Sequence, residues 1–204
     1  MKSVVNNIPG YKINEYLLVL NPHEDLRKRI MQVKADFYET YKAESAQFGK
    51  PHIALARFEQ YQMKEERLIN RLNTVAMGHR PFKVELKDFG SLPTHTIHIN
   101  ITSKLPVQNL VERIRSEAQA IMKLSATDKP QFFMEPTINI SRKLQPGQYE
   151  SAWLEYSHKH FTGRFIAEDM LLLKRPVGTL KYQIVQLFEF RNLPVSTVQG
   201  ALFA

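Results

Sequence analysis

Two short runs decide how this chain folds: Pro51-His52-Ile53-Ala54-Leu55-Ala56-Arg57-Phe58 and Pro136-Thr137-Ile138-Asn139-Ile140-Ser141-Arg142-Lys143. Each opens with proline and places large aliphatic side chains at alternate positions. Successive side chains of an extended strand point to opposite faces. Ile53 and Leu55 therefore turn into a core, while His52, Ala54 and Ala56 are displayed on the other face. The second run repeats the pattern, with Ile138 and Ile140 inward and Thr137, Asn139 and Ser141 outward. A histidine among small residues on an open sheet face leaves room above it for a ligand. The matching positions, 52 and 137, are 85 residues apart.

The surroundings of the two runs also match. Ahead of the first, Glu15 to Leu20 is an apolar run rich in strand formers. Asn21-Pro22-His23-Glu24 then reads as a helix N-cap, a proline at the first helical position and a carboxylate that returns to the cap. Leu26, Ile30, Val33, Phe37 and Tyr41 recur at helical spacing, and Gly49 is expected to end that helix. After the first run, Leu68, Leu72 and Val75 mark a helix that stops by Gly78, and Phe82 to Leu86 alternates as a strand. The order then starts again. Thr96 to Thr102 is a strand, and Val107, Leu110, Ile114, Ala118 and Ile121 form a helix face. Beyond the second run, Tyr149, Trp153 and Tyr156 mark a helix, Phe165 to Leu173 reads as strand, and Tyr182 to Phe190 as a final strand.

Self-similarity at a fixed offset is the mark of a duplicated unit. The expected fold is α+β and bilobal, built from two β-α-β-α-β units with mostly antiparallel sheets and outer helices. A pseudo-twofold axis should pass through a central cleft. Residues 1–204 read as one domain, with a first repeat over about 14–90, a second over about 95–175, and a C-terminal strand and tail over 179–204. No assignment is made beyond Pro194.

Composition narrows the partners. The 28 Lys+Arg residues outnumber 20 Asp+Glu, for a net charge of +8. That balance suits an anionic partner such as a nucleic acid, a nucleotide or a phosphate ester. The basic residues are dispersed, so charge alone does not select among these. Cysteine is absent, which removes disulfides and thiolate zinc sites and fits a cytoplasmic setting. No apolar run approaches membrane-spanning length. Without a His-Glu-x-x-His motif, a carboxylate cluster or a glycine-rich phosphate loop, neither a metal nor another cofactor is expected.

Pro51-His52-Ile53-Ala54-Leu55-Ala56-Arg57, set at the equivalent point of each half, resembles the paired His-x-Thr strands of the two-histidine (2H) phosphoesterases. That superfamily includes bacterial 2'-5' RNA ligases and cyclic nucleotide phosphodiesterases. The resemblance covers roughly residues 14 to 175 and extends to Trp153–Phe165 and to Leu171-Leu172-Leu173-Lys174-Arg175. It implies that each lobe brings one strand to a cleft. There one histidine acts as general base and the other as general acid at a 2',3'-cyclic or 2'-5' phosphodiester, and the threonines bind phosphate oxygens. Imidazole suits both roles because it titrates near neutral pH.

Measured against that pattern, His52 is kept as the catalytic residue. Ala54 stands for the first threonine, Thr137 for the second histidine and Asn139 for the second threonine. A threonine hydroxyl does not titrate near neutrality, so half of the acid–base pair is missing. Thr137, Asn139 and Ser141 remain candidate phosphate donors. His98, which shares a strand face with Asn100 and Thr102, and His160 of His160-Phe161-Thr162 are further cleft candidates. His23 reads as helix surface and His79 as loop. Three activities fit: a slow phosphoesterase or RNA-ligase-like enzyme, a non-catalytic nucleotide- or RNA-binding protein, and an interaction module with a vestigial cleft. The expected partners are RNA ends or nucleotide phosphodiesters, and no membrane.

Overall fold

The computed structural model describes residues 11–194, so the first ten residues and the tail over 195–204 lie outside the described residues. Strand β1 (Ile13–Leu20) leads into helix α1 (Glu24–Tyr41). The cap is not Asn21 as expected but His23, whose Nδ1 accepts from the Leu26 N–H at 3.3 Å. Pro22 biases the residue before it toward extended backbone, and the chain stays extended until His23 takes the cap. Nor does α1 run to Gly49. Lys42 adopts a left-handed conformation (φ 50°), its N–H returns to the Tyr38 carbonyl at 2.7 Å, and a single 3-10 turn follows at Glu44–Ala46.

The remaining elements are β2 (Ile53–Tyr61), α2 (Glu65–Met77), β3 (Phe82–Leu92), β4 (Thr96–Ile101), α3 (Lys104–Met122), β5 (Gln131–Phe132), β6 (Thr137–Arg142), α4 (Pro146–Tyr156), β7 (Thr162–Ala167), β8 (Asp169–Pro176) and β9 (Gln183–Glu189). The run 165–173 thus spans parts of two strands, which belong to different sheets. A hydrophobic pattern shows burial but carries no sign of a change of sheet across Glu168. Strand β3 also continues past Leu86 through a bulge at Lys87 and Asp88, where Asp88 takes φ 54°.

One sheet has the order β5-β2-β1-β8-β9 and the other β6-β4-β3-β7, with every pairing antiparallel. The sequences β2-β1-β8-β9 and β6-β4-β3-β7 are topologically the same. The match requires an exchange: β3, which follows α2, pairs with β4 and β7, while β8 returns to pair with β1. The helices cross over as well. Helices α2 and α3 lie on the first sheet, against β9 and β2, and α1 and α4 lie on the second, against β6, β7 and β4. Tyr16, Leu18, Ile53, Leu55 and Phe188 from one sheet and Ile97, Ile99, Ile138 and Phe165 from the other join one continuous core. Gln148 ties α4 to α1. Its Oε1 accepts from the Gln145 N–H at 3.0 Å, and its Nε2 donates to the Tyr41 carbonyl at 3.0 Å.

Candidate functional site

The alternation of the two decisive strands holds at their beginnings. Ile53, Leu55, Ile138 and Ile140 are fully buried under the helices, whereas His52, Ala54, Thr137 and Asn139 are half-buried. Farther along, each strand contains a bulge. On β2, Ala54 pairs with Val19 and Ala56 with Leu18, leaving Leu55 between them. On β6, Asn139 pairs with His98 and Ser141 with Ile97, leaving Ile140 unmatched. Leu55 and Ile140 are themselves 85 residues apart. An extra residue in one strand reverses the facing of everything after it.

That reversal corrects two expectations. Ala56 faces the helices with Phe58, not outward with Ala54. Ser141 is 1% exposed on the helix side of the second sheet, with its Oγ 2.6 Å from that of Ser45, so it does not join Thr137 and Asn139. In exchange Arg57, directly opposite Leu17, comes to the helix-free face, where its Nη2 donates to Gln131 Oε1 at 2.7 Å. Strict alternation hides this arginine, since only the bulge reveals it.

His52 lies one residue ahead of β2. Its Nδ1 is 2.8 Å from the Lys50 carbonyl oxygen. A carbonyl only accepts, so Nδ1 carries the proton and Nε2 keeps a free lone pair. Burial lowers the imidazole pKa below its ordinary value. The Lys50 carbonyl opposes that shift, and the nearby Arg142 and Lys34 charges add to it. Lys34 is only 5% exposed, and its Nζ donates to the Phe48 carbonyl at 2.9 Å and the Gly49 carbonyl at 3.0 Å. Burial and Arg142 push its pKa down to about 8. A buried cation of α1 thus fastens the loop that delivers His52.

The two helix-free faces differ in character. On the first sheet, Leu17, Val19 and Leu171 pack with Ala54, Leu173 and Tyr182 in a small apolar cluster. At its border Glu15 accepts from Tyr182 and from Arg175, whose Nη2 lies 2.7 Å away. On the second sheet the corresponding face is polar: Thr137 pairs with Asn100, and Asn139 with His98. His98 is 7% exposed, and its Nδ1 has no hydrogen-bond partner among the described residues. Burial lowers its pKa, the Asn100 side chain opposes that, and Lys104 adds to it. Gly90 of β3 lies opposite His98. A β-carbon there would stand 2.3 Å from Asn100 Oδ1 and 2.6 Å from His98 Nε2. Strands β2 and β6 approach each other where the sheets meet, so the two motif strands are neighbours in space.

His160 does not join this group. Its side chain is 88% exposed and bonds Asp88 Oδ1 at 3.2 Å. It precedes β7, three strands from β6, or about 14 Å at ordinary strand spacing. A depression of about 590 Å³ lined by His23, Arg29, Lys87 and Arg164 is likewise separate from His52 and Thr137. Among the described residues, no three His, Asp or Glu side chains gather in a way that could hold a metal ion. No described helix is long and apolar enough to cross a membrane.

Solved structures share this architecture. LigT of E. coli complexed with 3'-AMP superposes with a TM-score of 0.63 at 15% identity, covering 88% of this chain and 98% of that one. A phosphoesterase gives 0.61 at 15%, covering 87% and 98%. TT0787 of Thermus thermophilus gives 0.59 at 14%, again covering 87% and 98%. The E. coli protein has also been solved with phosphate, NADP+ and ATP. No curated protein matches this sequence. The sequence model of the 2'-5' RNA ligase superfamily matches residues 22–179, which takes in both motif strands and all four helices. The chain belongs to that superfamily.

Proposed function

We propose that this protein binds 2',3'-cyclic or 2'-5' phosphodiesters of RNA ends or nucleotides where β2 meets β6, and turns them over slowly as a single bilobal unit. The observation that carries this reading is the approach of the two motif strands where the sheets meet. One brings an imidazole with a free Nε2, and the other brings Thr137 and Asn139 on a polar face. Supporting it are the membership of the superfamily, the nucleotides and phosphate bound by E. coli LigT, and the +8 charge.

In this reading His52 Nε2 takes the proton of the attacking oxygen. The Thr137 hydroxyl and the Asn139 amide donate to the phosphate oxygens. Thr137 cannot replace an imidazole as proton carrier, and loss of one general catalyst costs about 10²–10⁴ in rate. Ala54 supplies no donor at all. The cysteine-free sequence suits a reducing, cytoplasmic setting.

Thr137 and Ala54 also favour a second reading, in which the site binds nucleotides without turnover. The deciding experiment is hydrolysis of 2',3'-cyclic AMP by wild type and His52→Ala, with parallel titrations of 3'-AMP binding. Turnover lost with His52 supports the enzyme. Saturable binding without turnover supports the second reading, and neither result would leave only a vestigial site.

A further inference from the structure

We infer that His98, one strand inward from the position where Thr137 stands, supplies the second imidazole of this site. The inference rests on the phosphodiester reading above and identifies the group that completes its chemistry.

Register places the residue. His98 is directly opposite Asn139, and Thr137 is its diagonal neighbour through the Asn100 pair. Directly opposed β-carbons lie about 5 Å apart and diagonal ones about 7–8 Å. An imidazole on β4 therefore stands on the same sheet face as position 137, one strand farther in, with its ring over β3.

The state of the ring is the second observation. A buried polar atom without a hydrogen bond is less stable than one that has a partner. His98 Nδ1 carries that deficit in the middle of the second sheet. An aliphatic residue here would avoid it. Unpaired buried groups that persist call for an explanation, among them a catalytic role or an ordered water or ion.

Space made for the ring is the third. Nε2 occupies the volume a β-carbon at residue 90 would need, and only glycine leaves that volume free. Gly90 does not need its conformational freedom, since its φ is ordinary for a strand. What it offers is room for His98 and Asn100 to lie over β3. Burial lowers the pKa of this ring, and Asn100, adjacent on the same face, opposes that shift.

The reaction then balances with residues of this chain. Water attacks the cyclic phosphorus, and its proton passes to His52 Nε2. The bond from phosphorus to one ribose oxygen breaks, and that oxygen takes a proton from the His98 imidazolium. The products are a phosphomonoester and a free ribose hydroxyl, with His52 protonated and His98 neutral. Exchange with solvent resets both.

The test uses the full chain with 2',3'-cyclic AMP as substrate from about pH 5 to 8, and 3'-AMP as the binding probe. Wild type should give a bell-shaped kcat profile, as an acid and a base together require. His98→Gln should lower kcat about 10²-fold or more, remove the alkaline limb and leave KM nearly unchanged. His98→Asn, a smaller side chain, guards against misfolding of the first variant, with thermal melts run on both. Thr137→His placed in the His98→Gln background should recover turnover, which loss of a structural histidine would not allow. In histidine-selective NMR, the His98 resonances should move on addition of 3'-AMP. Unchanged kcat and an unchanged alkaline limb in both folded His98 variants would overturn the assignment. So would wild type that binds 3'-AMP without any turnover, a result that leaves the binding site standing. If wild type neither binds nor turns over, and Thr137→His does neither, the phosphodiester reading itself fails.

Discussion

Lys34 Nζ lies 2.9 Å from the carbonyl oxygen of Phe48, so a buried ammonium on α1 holds the loop that ends at His52. Its pKa of about 8, against an ordinary 10.5, fixes the sign of a stability effect. The folded state gives up this proton more readily than the unfolded state. Burying the charged form is therefore a cost below about pH 8, and it is relieved as pH rises from there toward 10.5. Wild type should gain about 2 kcal/mol of unfolding free energy from this group between about pH 7 and 9.5. The difference between denaturant titrations of wild type and Lys34→Met across that range isolates the effect, and parallel curves would contradict it.

The lowered pKa of His52 makes its ring neutral at pH 7, with the base form retained into mildly acidic solution. The acid limb of kcat/KM should therefore fall below the ordinary histidine value of 6.5. Lys34→Met removes one neighbouring positive charge and relaxes the loop, so this limb should move upward while kcat drops. A limb that stays in place in Lys34→Met would show that the lysine has no electrostatic hold on His52.

Repair of the second motif should raise activity. Thr137→His places an imidazole on β6 itself and is expected to increase turnover of 2',3'-cyclic AMP. Ala54→Thr alone should do little, and the triple change with Asn139→Thr should do most. Groups that act as a unit are strongly non-additive, and His52→Ala in the triple variant should abolish the gain. If wild type matches the triple variant, Thr137 is no lesion, and the second imidazole already present carries the full load.

Affinity for 3'-AMP or a short cyclic-phosphate-ended RNA should weaken as salt rises from about 0.05 to 0.5 M, because screening shortens the reach of the +8 charge. Salt-independent binding, read by fluorescence titration, would show that the neutral donors Thr137 and Asn139 dominate.

Ser141→Ala should leave nucleotide affinity unchanged while lowering stability by about 1 kcal/mol, the usual worth of a lost internal hydrogen bond. A large affinity loss in the folded variant would return Ser141 to the site.

Much of this fold is legible in the pattern of apolar side chains. The helical spacing of Leu26, Ile30 and Phe37, and of Val107, Leu110 and Ile114, finds real helices whose inner faces are these residues. The alternation of Ile53 with Leu55 and of Ile138 with Ile140 gives the correct inner face for both motif strands. The failures arise where a local pattern carries no record of what the chain meets in space. Alternation is a local rule, and a bulge breaks it without any change in composition, which is why it puts Ala56 and Ser141 on the wrong faces and passes over Arg57. The bond between Lys34 and the loop before His52 joins residues remote from any motif. Gly90 becomes meaningful only once β3 is known to lie beside His98. The division of 165–173 into two strands likewise depends on partners far away in the chain.

The exchange of β3 and β8 between the sheets bears on how the molecule comes into being. During synthesis the first sheet waits: β1 and β2 have emerged by residue 61, yet the strand that flanks β1 on its other side ends only at Pro176. Until then β1 offers an open hydrogen-bonding edge, with Leu17, Leu18 and Val19 along it. A ribosome-bound fragment truncated near residue 95 would leave β3 without either of its neighbours. Nascent chains should stay protease-sensitive until nearly all of β8 is clear of the exit tunnel, and two separately expressed halves should gain structure only when mixed.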